Sequence, residues 1–534
     1  MTHTQQITRA TKVKSLINRL QIRASYFHAL LFAAFFAFII FYVYLAQNFS
    51  ANVLYFYTPD SWYYWSISES IGTDHFNKSN IIRQYQYITD RNLSFPPLWP
   101  LAIYLVGRLG NYGHYSSLVA SSVFFVLTLV LVEVLFYRSS KLNYVGILVG
   151  LLLMAYKPFV LDLMGGMSAG LNIFIIALAL NILYSTLQHK HIYLGLVSGL
   201  LLLNRFDNVI LILAIAAIEV FFTEHGKNEN IIRRAALFIF GFAFIVSPYI
   251  VFNIENFGVP LISDNSIVFK SINNIYSTYY FIDNPLTILN DPDKWILKFK
   301  TNFAGLFDVI TQNRWLLYGL AGAMLLLVGQ SSHRFYLPRA HLAVLLISSL
   351  LVMFIMAGTG YNDQRYFINV YFVAALIVCN YFVNISTIIK FSIIIFIGLQ
   401  ARSSWYSDHL FFYETRNPPT ISKEISNEVE KLNGCLKSVG AISVMPIFKA
   451  PSEGQLVSYF GAISDFKVYL LPDNISTLTK DEFVSFSRKY KIDAIYERTA
   501  AFEFSHDEYP ILCNMDKRVR FRADVLLARH LHIT

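Results

Sequence analysis

Apolar runs of about the length that crosses a bilayer recur from Tyr26 to Ala401, separated by short polar breaks. Windows of about 20 residues place spans near 27–47, 115–137, 143–156, 170–187, 192–204, 208–223, 235–254, 315–330, 342–357, 368–383 and 391–401. That is about eleven, an odd number, and several are short for a hydrocarbon core about 30 Å thick. Two connections are long, 48–114 and 255–314, and loops of that size usually carry function or structure of their own. Beyond residue 402 the pattern changes. A charged amphipathic run (421–433), apolar runs (440–446 and 467–471), a turn at Pro472-Asp473-Asn474, a helical pattern near 480–490 and Ile492 to Tyr496 predict a small α/β domain. The expected fold is therefore mainly α: a polytopic membrane protein with about eleven transmembrane helices and a small C-terminal α/β extracytoplasmic domain. No internal repeat or low-complexity tract is visible.

Composition sharpens this. Of 534 residues, 55% are hydrophobic and 14% charged, against roughly 25% charged in a soluble domain, and the mean hydropathy is +0.46. A soluble globule, a disordered chain and a disulfide framework are excluded. Residues 403–534 hold 33 charged residues in 132, whereas the preceding 402 hold 44, which sets a boundary near 402. The tail is nearly neutral, with 16 Lys/Arg and 17 Asp/Glu, so the net +9 belongs to the membrane part and gives no reason to expect nucleic acid. Cys379 lies in an apolar run and reads as a small buried hydrophobe. Cys435 and Cys513 either pair, if the tail faces an oxidising compartment, or remain two thiols.

Charge also orients the chain. The first apolar run follows Arg9, Lys12, Lys14, Arg19 and Arg23 but is too long for a signal peptide and lacks a cleavage site, so it reads as an uncleaved anchor. Segments 1–26, 138–142, 188–191, 224–234, 331–341 and 384–390 carry 14 Lys/Arg in 64 residues; the alternate segments before the tail carry 12 in 153. Positive charge is retained in the cytoplasm. The N-terminus (1–26) is therefore expected inside and residues 403–534 outside, flanking a membrane domain over 27–402.

Catalytic motifs of soluble enzymes are absent: there is no HExxH, Walker A, paired CxxC or GxSxG. Gly358-Thr359-Gly360 lacks a third glycine, and Asp291-Pro292-Asp293 reads as a turn before it reads as a cation grip, so the sequence assigns no metal ligands and requires no cofactor. Asp60 stands among Tyr57, Trp62, Tyr63, Tyr64 and Trp65, where a carboxylate could act as a general base beside aromatic faces for a sugar ring. The plainer alternative is an N-cap on an aromatic helix lying along the membrane surface. Arg205 and Asp207 sit in a four-residue break, and Asp363 with Arg365-Tyr366 occupies the corresponding outer end between later spans. A cation there invites an anionic partner, or else it forms a local ion pair at the interface. Glu133 and Glu219 read as rim charges near cytoplasmic ends, and His189, His191, His333 and His341 as solvated loop histidines.

With these residues in view the chain resembles the C-type glycosyltransferases (GT-C), in particular the bacterial membrane enzymes akin to protein mannosyltransferases and the aminoarabinose transferase. Tyr57-Thr-Pro-Asp60-Ser-Trp-Tyr63-Tyr64 is similar to the family's first-loop acidic motif, and Ser94-Phe-Pro96-Pro97-Leu-Trp99-Pro100 to its aromatic-proline segment. Leu203-Asn-Arg205-Phe-Asp207-Asn208, Asn256-Phe-Gly258-Val-Pro260 and Gln364-Arg365-Tyr366 resemble later elements, the last near the donor phosphate in relatives. The tail's Val468 to Pro472 and Lys489 to Tyr496 are similar to the appended outer domain of bacterial members. One departure is clear. Many members carry a second acid between the third and fourth spans, where this chain has Gly165-Gly-Met-Ser168-Ala-Gly170, and Asp162 is the nearest carboxylate.

The resemblance implies a membrane enzyme, expected in the bacterial inner membrane, that transfers a sugar from a polyprenyl-phosphate donor to an extracytoplasmic lipid, glycan or protein. Asp60 would be the base, and Arg365 with Arg205 would hold the donor phosphate. Tyr57, Tyr63, Tyr64, Tyr366, Asp207 and Asp162 would line the substrate site. The rivals are a lipid-linked polysaccharide polymerase or ligase, and a non-enzymatic flippase or transporter.

Overall fold

The computed structural model describes residues 59–71, 81–82, 95–110, 112–140, 145–222, 231–257, 314–328, 337–358, 364–382, 418–438, 443–447, 466–469, 492–497 and 518–521, with a few single positions between them. The expected spans 27–47 and 391–401, Tyr57, Asp291-Pro292-Asp293, the Pro472 turn and Cys513 lie outside the described residues.

The described chain is mainly helical. The helices are α1 Pro59–Ser70, α2 Leu98–Gly110, α3 Ser116–Ser140, α4 Val145–Ala155, α5 Lys157–Met164, α6 Ala169–Leu183, α7 Lys190–Asn204, α8 Val209–Ala217, α9 Ile231–Phe257, α10 Arg314–Val328, α11 Arg339–Gly358, α12 Ile368–Phe382 and α13 Pro418–Ser438. Helices α3 to α12 fall on the apolar runs expected to span, apart from α5. Among the described residues, Ser116–Tyr137 and Ile231–Asn256 are long and apolar enough to cross a membrane; α4 with α5 makes a third candidate, bent by 90°. The bend has a local cause: Tyr156 is extended (φ −84°, ψ 94°) and Pro158 opens the next helix, where its missing N–H costs nothing.

Polarity decides which faces are covered. Helix α12 is apolar apart from Asn369 and Asn380 and sits at the centre, with Val370, Phe372, Val373, Leu376, Ile377 and Cys379 fully buried. Helix α9 instead leaves Ile239, Phe240 and Phe244 more than 60% exposed, an outward apolar face of the kind lipid covers. Helices α7 and α9 meet along small residues. A Cβ on Gly195 would strike the Phe238 carbonyl, and one on Gly241 the Ile192 carbonyl, so backbone lies against backbone.

A five-stranded sheet has the order β1-β3-β2-β4-β5, where β1 is Ile81–Ile82, β2 Ser443–Ile447, β3 Lys467–Tyr469, β4 Ala494–Glu497 and β5 Arg518–Phe521. It is parallel except for β4 with β5. Its edge strand comes from the first long loop, with Ile81 opposite Val468 and Ile82 opposite Tyr469. Strands β2, β3 and β4 and helix α13 fall where the tail's pattern placed them; the edge strands β1 and β5 had no such signal.

Candidate functional site

The site begins with α1. Pro59 fits the first helical position and Asp60 falls in the first turn, where the unpaired N–H groups favour a negative charge. Tyr64 lies four residues on and so on the same face. Its ring packs 4.3 Å from that of Phe95, and Tyr63 packs 5.4 Å from the same ring, which ties the Phe95-Pro96 segment to the helix. Burial pushes the Tyr64 phenol far above its ordinary pKa; Asp60, Tyr366 and Asp162 push the same way, and Arg205 opposes them. One hydroxyl thus marks the meeting point of α1, α5, the break after α7 and the turn before α12. It is held in the protonated form, so it is available as a hydrogen-bond donor and does not act as a base.

Arg205 owes its position to that break. The residue is extended (φ −154°, ψ 125°), and a 3-10 turn, Phe206–Asn208, then reverses the chain into α8. Its Nε and Nη2 donate to the Asp207 carboxylate at 3.1 and 2.9 Å, a two-pronged pair with both side chains largely buried. The guanidinium carbon lies 5.1 Å from the centre of the Tyr366 ring. Burial works against the cation, but Asp207, together with Tyr366 and Asp162, outweighs it and the pKa is raised. Nη1 has no hydrogen-bond partner among the described residues, so one prong of a permanent cation remains for an anion.

Asp162 is 2% exposed. Its Oδ2 accepts the Ala169 N–H at 3.0 Å, closing the start of α6, and its backbone carbonyl accepts the Met167 N–H at 3.0 Å. The turn between them needs Gly166, at φ +63° with Ser117 Oγ 2.5 Å from any added Cβ, and the Gly166 carbonyl accepts Trp99 Nε1–H at 3.2 Å. The loop that lacks the second acid is therefore folded around Asp162 and fastened to α2.

Below Arg205 and Tyr366 lies a buried amide network. Asn172 Nδ2 donates to Asn369 Oδ1 (2.7 Å), Asn369 Nδ2 to Asn208 Oδ1 (3.1 Å), and Asn208 Nδ2 back to Asn172 Oδ1 (2.7 Å). Asn204 Nδ2 joins at Asn172 Oδ1, 3.0 Å.

No family model matches the chain, and no curated protein matches it. Among solved structures the chain is similar to ArnT from Cupriavidus metallidurans in the apo state, at 10% identity over 92% of this chain and 99% of that one, TM-score 0.44. It is also similar to the same protein bound to undecaprenyl phosphate, at 10% identity over 91% and 98% of the two chains, TM-score 0.41. At this identity no residue role passes from one chain to the other.

Of the residues singled out from sequence, Asp60, Tyr64, Asp162, Arg205, Asp207 and Tyr366 gather at one end of the helices. Tyr63 is fully buried and packs on Phe95, one ring removed from the charged groups. Arg365 lies in the 3-10 turn Gln364–Phe367, and its side chain, like Tyr57, is outside the described residues. The aromatic face of the helix is not open to its surroundings: Ser61, Trp62, Tyr63, Tyr64 and Ile67 are all buried against protein. Asp60 also falls inside the helix and not at its N-cap.

Other expectations are corrected at the far end of the bundle. Glu219, fully buried on the π-helical turn Ile218–Phe222, meets Lys190 Nζ at 3.4 Å and His191 Nδ1 at 2.7 Å, so neither Glu219 nor His191 is a solvated rim group. His341 is buried and shares a hydrogen bond with the Tyr184 hydroxyl at 3.0 Å. Glu133 accepts the Gly146 N–H at 2.8 Å, closing the start of α4. His189 is exposed as expected, and His333 is outside the described residues. Cys379 is free and buried, while Cys435 is disulfide-bonded. Among the described residues no cluster of His, Cys, Asp or Glu could hold a metal.

The sequence reading missed the asparagines because a lone amide in an apolar run carries no spacing code. Their only signal is the cost of burying an unpaired amide, which demands a partner without saying where it is.

Proposed function

We propose that this chain is a membrane glycosyltransferase that moves a sugar, with inversion, from a polyprenyl-phosphate donor to an extracytoplasmic acceptor. The observation that carries the reading is the convergence of Asp60, Asp162, Arg205 and Tyr366 around the buried Tyr64 phenol at the end of an apolar bundle. The acceptor hydroxyl attacks the anomeric carbon while Asp60 takes its proton. The bond from that carbon to the phosphate oxygen breaks, and its electron pair leaves on the polyprenyl phosphate. Arg205 Nη1, with Arg365, meets the charge that develops there. Tyr64, kept protonated, donates to a substrate oxygen, and the apolar spans hold the lipid.

The same reading takes the membrane part as eleven spans with the N-terminus inside and residues 403–534 as an extracytoplasmic α/β unit. A transporter would call for charges midway along the spans; among the described residues the buried ion pairs sit at helix ends.

The test is Asp60→Asn, measured as sugar transfer in liposomes with thermal stability in parallel. Asn suits a helix start but cannot accept a proton, so folding should hold while turnover falls at least about 10²-fold. Full activity in a stable Asp60→Asn enzyme would remove Asp60 from the mechanism.

A further inference from the structure

The hydrogen bonds among Asn172, Asn208 and Asn369 form a closed ring: each amide donates to the next, and the third returns to the first. All three side chains are buried, with Asn208 fully so. Such a ring fixes its members together, because each bond polarises the next and any break strands buried polar atoms on both sides. Its members come from different elements. Asn172 lies in the first turn of α6, three residues after the Ala169 N–H that Asp162 holds. Asn208 ends the 3-10 turn that carries Asp207, and its Nδ2 also donates to the Leu201 carbonyl at 3.0 Å, across the break. Asn369 begins α12, three residues after Tyr366. Asn204, the residue before Arg205, is tied to the same Asn172 oxygen.

We propose that this amide ring is the positioning device of the site: it locks α6, the Arg205 turn and α12 in one register, so that Arg205 stacks on Tyr366 with Nη1 directed to an anionic phosphate group. The inference rests on the phosphate-binding role given to Arg205 above. The asparagines touch no substrate in this account and act through Arg205 and Tyr366. The contact of Arg205 with Tyr366 is itself a guanidinium on a ring face, a pairing that slides easily unless the elements on either side are fixed.

The experiment uses the full chain in detergent with undecaprenyl phosphate as the probe. Asn369→Leu leaves Asn172 Nδ2 and Asn208 Oδ1 without their ring partners. It should weaken binding about tenfold, the scale of a lost hydrogen bond to a charged group. Asn369→Ser, which keeps a donor and an acceptor, should fall between and serves if the Leu variant does not fold. In an Arg205→Ala background the same substitution should have no further effect, because the residue it acts through is gone. An equal loss with and without Arg205 would make the ring merely structural and overturn the proposal. If wild type binds no undecaprenyl phosphate, the functional reading fails, and the ring is decided by cryo-electron microscopy of wild type and variant. Displacement of Arg205 from the Tyr366 ring in the variant supports the proposal; unchanged stacking overturns it.

Discussion

Asp162 carries two separable tasks at one carboxylate. As an acceptor for the Ala169 N–H it holds the start of α6, and as a charge it faces Tyr64 and Arg205. Asp162→Asn keeps an oxygen for the first task and removes the charge, whereas Asp162→Ala removes both. The Ala variant should lose about 1 kcal/mol of stability, as for a helix start stripped of its side-chain acceptor, and the Asn variant close to none. Thermal unfolding checks that difference; a fall in turnover confined to charge loss, present already in Asp162→Asn, would give Asp162 a share in the chemistry. Tyr64 makes a pH argument. Its pKa is raised by burial first and by Asp60 next, so the protonated form is favoured in the folded chain and persists past the ordinary phenol value. Any alkaline limb of the rate profile near pH 10 therefore belongs to another group. Tyr64→Phe should lower the rate without moving that limb, and a limb that vanishes in Tyr64→Phe would contradict the assignment.

At the scale of elements, what the sequence made legible follows from period and punctuation. The break at Asn204 to Asp207 was readable because two charges interrupt an otherwise continuous apolar run, and the structure turns the chain there. Helix α2 was not placed because Pro96-Pro97 and Arg108 bracket a short apolar stretch inside a polar loop, and a window of span length averages it away. The helix at Asp60 was readable, but its burial was not, since aromatic residues suit a membrane surface and a protein interior equally. The far-end cluster escaped for another reason. Glu219 and His191 are 28 residues apart, and only the pairing of α7 with the turn after α8 brings them to 2.7 Å. The π-helical turn inserts the residue that swings Glu219 inward, toward Lys190, His191 and the Arg234 guanidinium, whose Nη1 donates to the Glu219 carbonyl at 3.4 Å. Removing the acid that faces the buried Lys190 leaves that cation without its counter-charge, while the Arg234 bond to the backbone carbonyl remains. Glu219→Ala should cost about 3–5 kcal/mol and lower the unfolding temperature well beyond Asp60→Asn, although it lies at the end remote from the site.

For the whole molecule the informative feature is the edge of the sheet. Strand β1 belongs to the first long loop and β3 to the tail, and a parallel pair with Ile82 opposite Tyr469 requires both segments on one side of the membrane. An odd count of spans up to that loop and an odd count up to the tail satisfy this; a missed or extra span between them does not. The sheet fixes the two segments relative to each other but not which compartment they share. The expectation that this compartment lies outside the cytoplasm rests on the Lys/Arg asymmetry, 14 in 64 residues against 12 in 153, and the bonded state of Cys435 is chemically at home there. Single cysteines at Lys78 and Asp473, probed with a membrane-impermeant thiol reagent, separate the two arguments. Labelling of both in intact cells is expected. Labelling of both only after the membrane is broken would invert the orientation and leave the sheet intact, moving the site to the cytoplasmic face. Labelling of one alone would mean that β1 and β3 never meet and that the count of spans between residues 82 and 467 is odd instead of the expected ten, taking the shared outer end of Asp60, Asp162, Arg205 and Tyr366 with it.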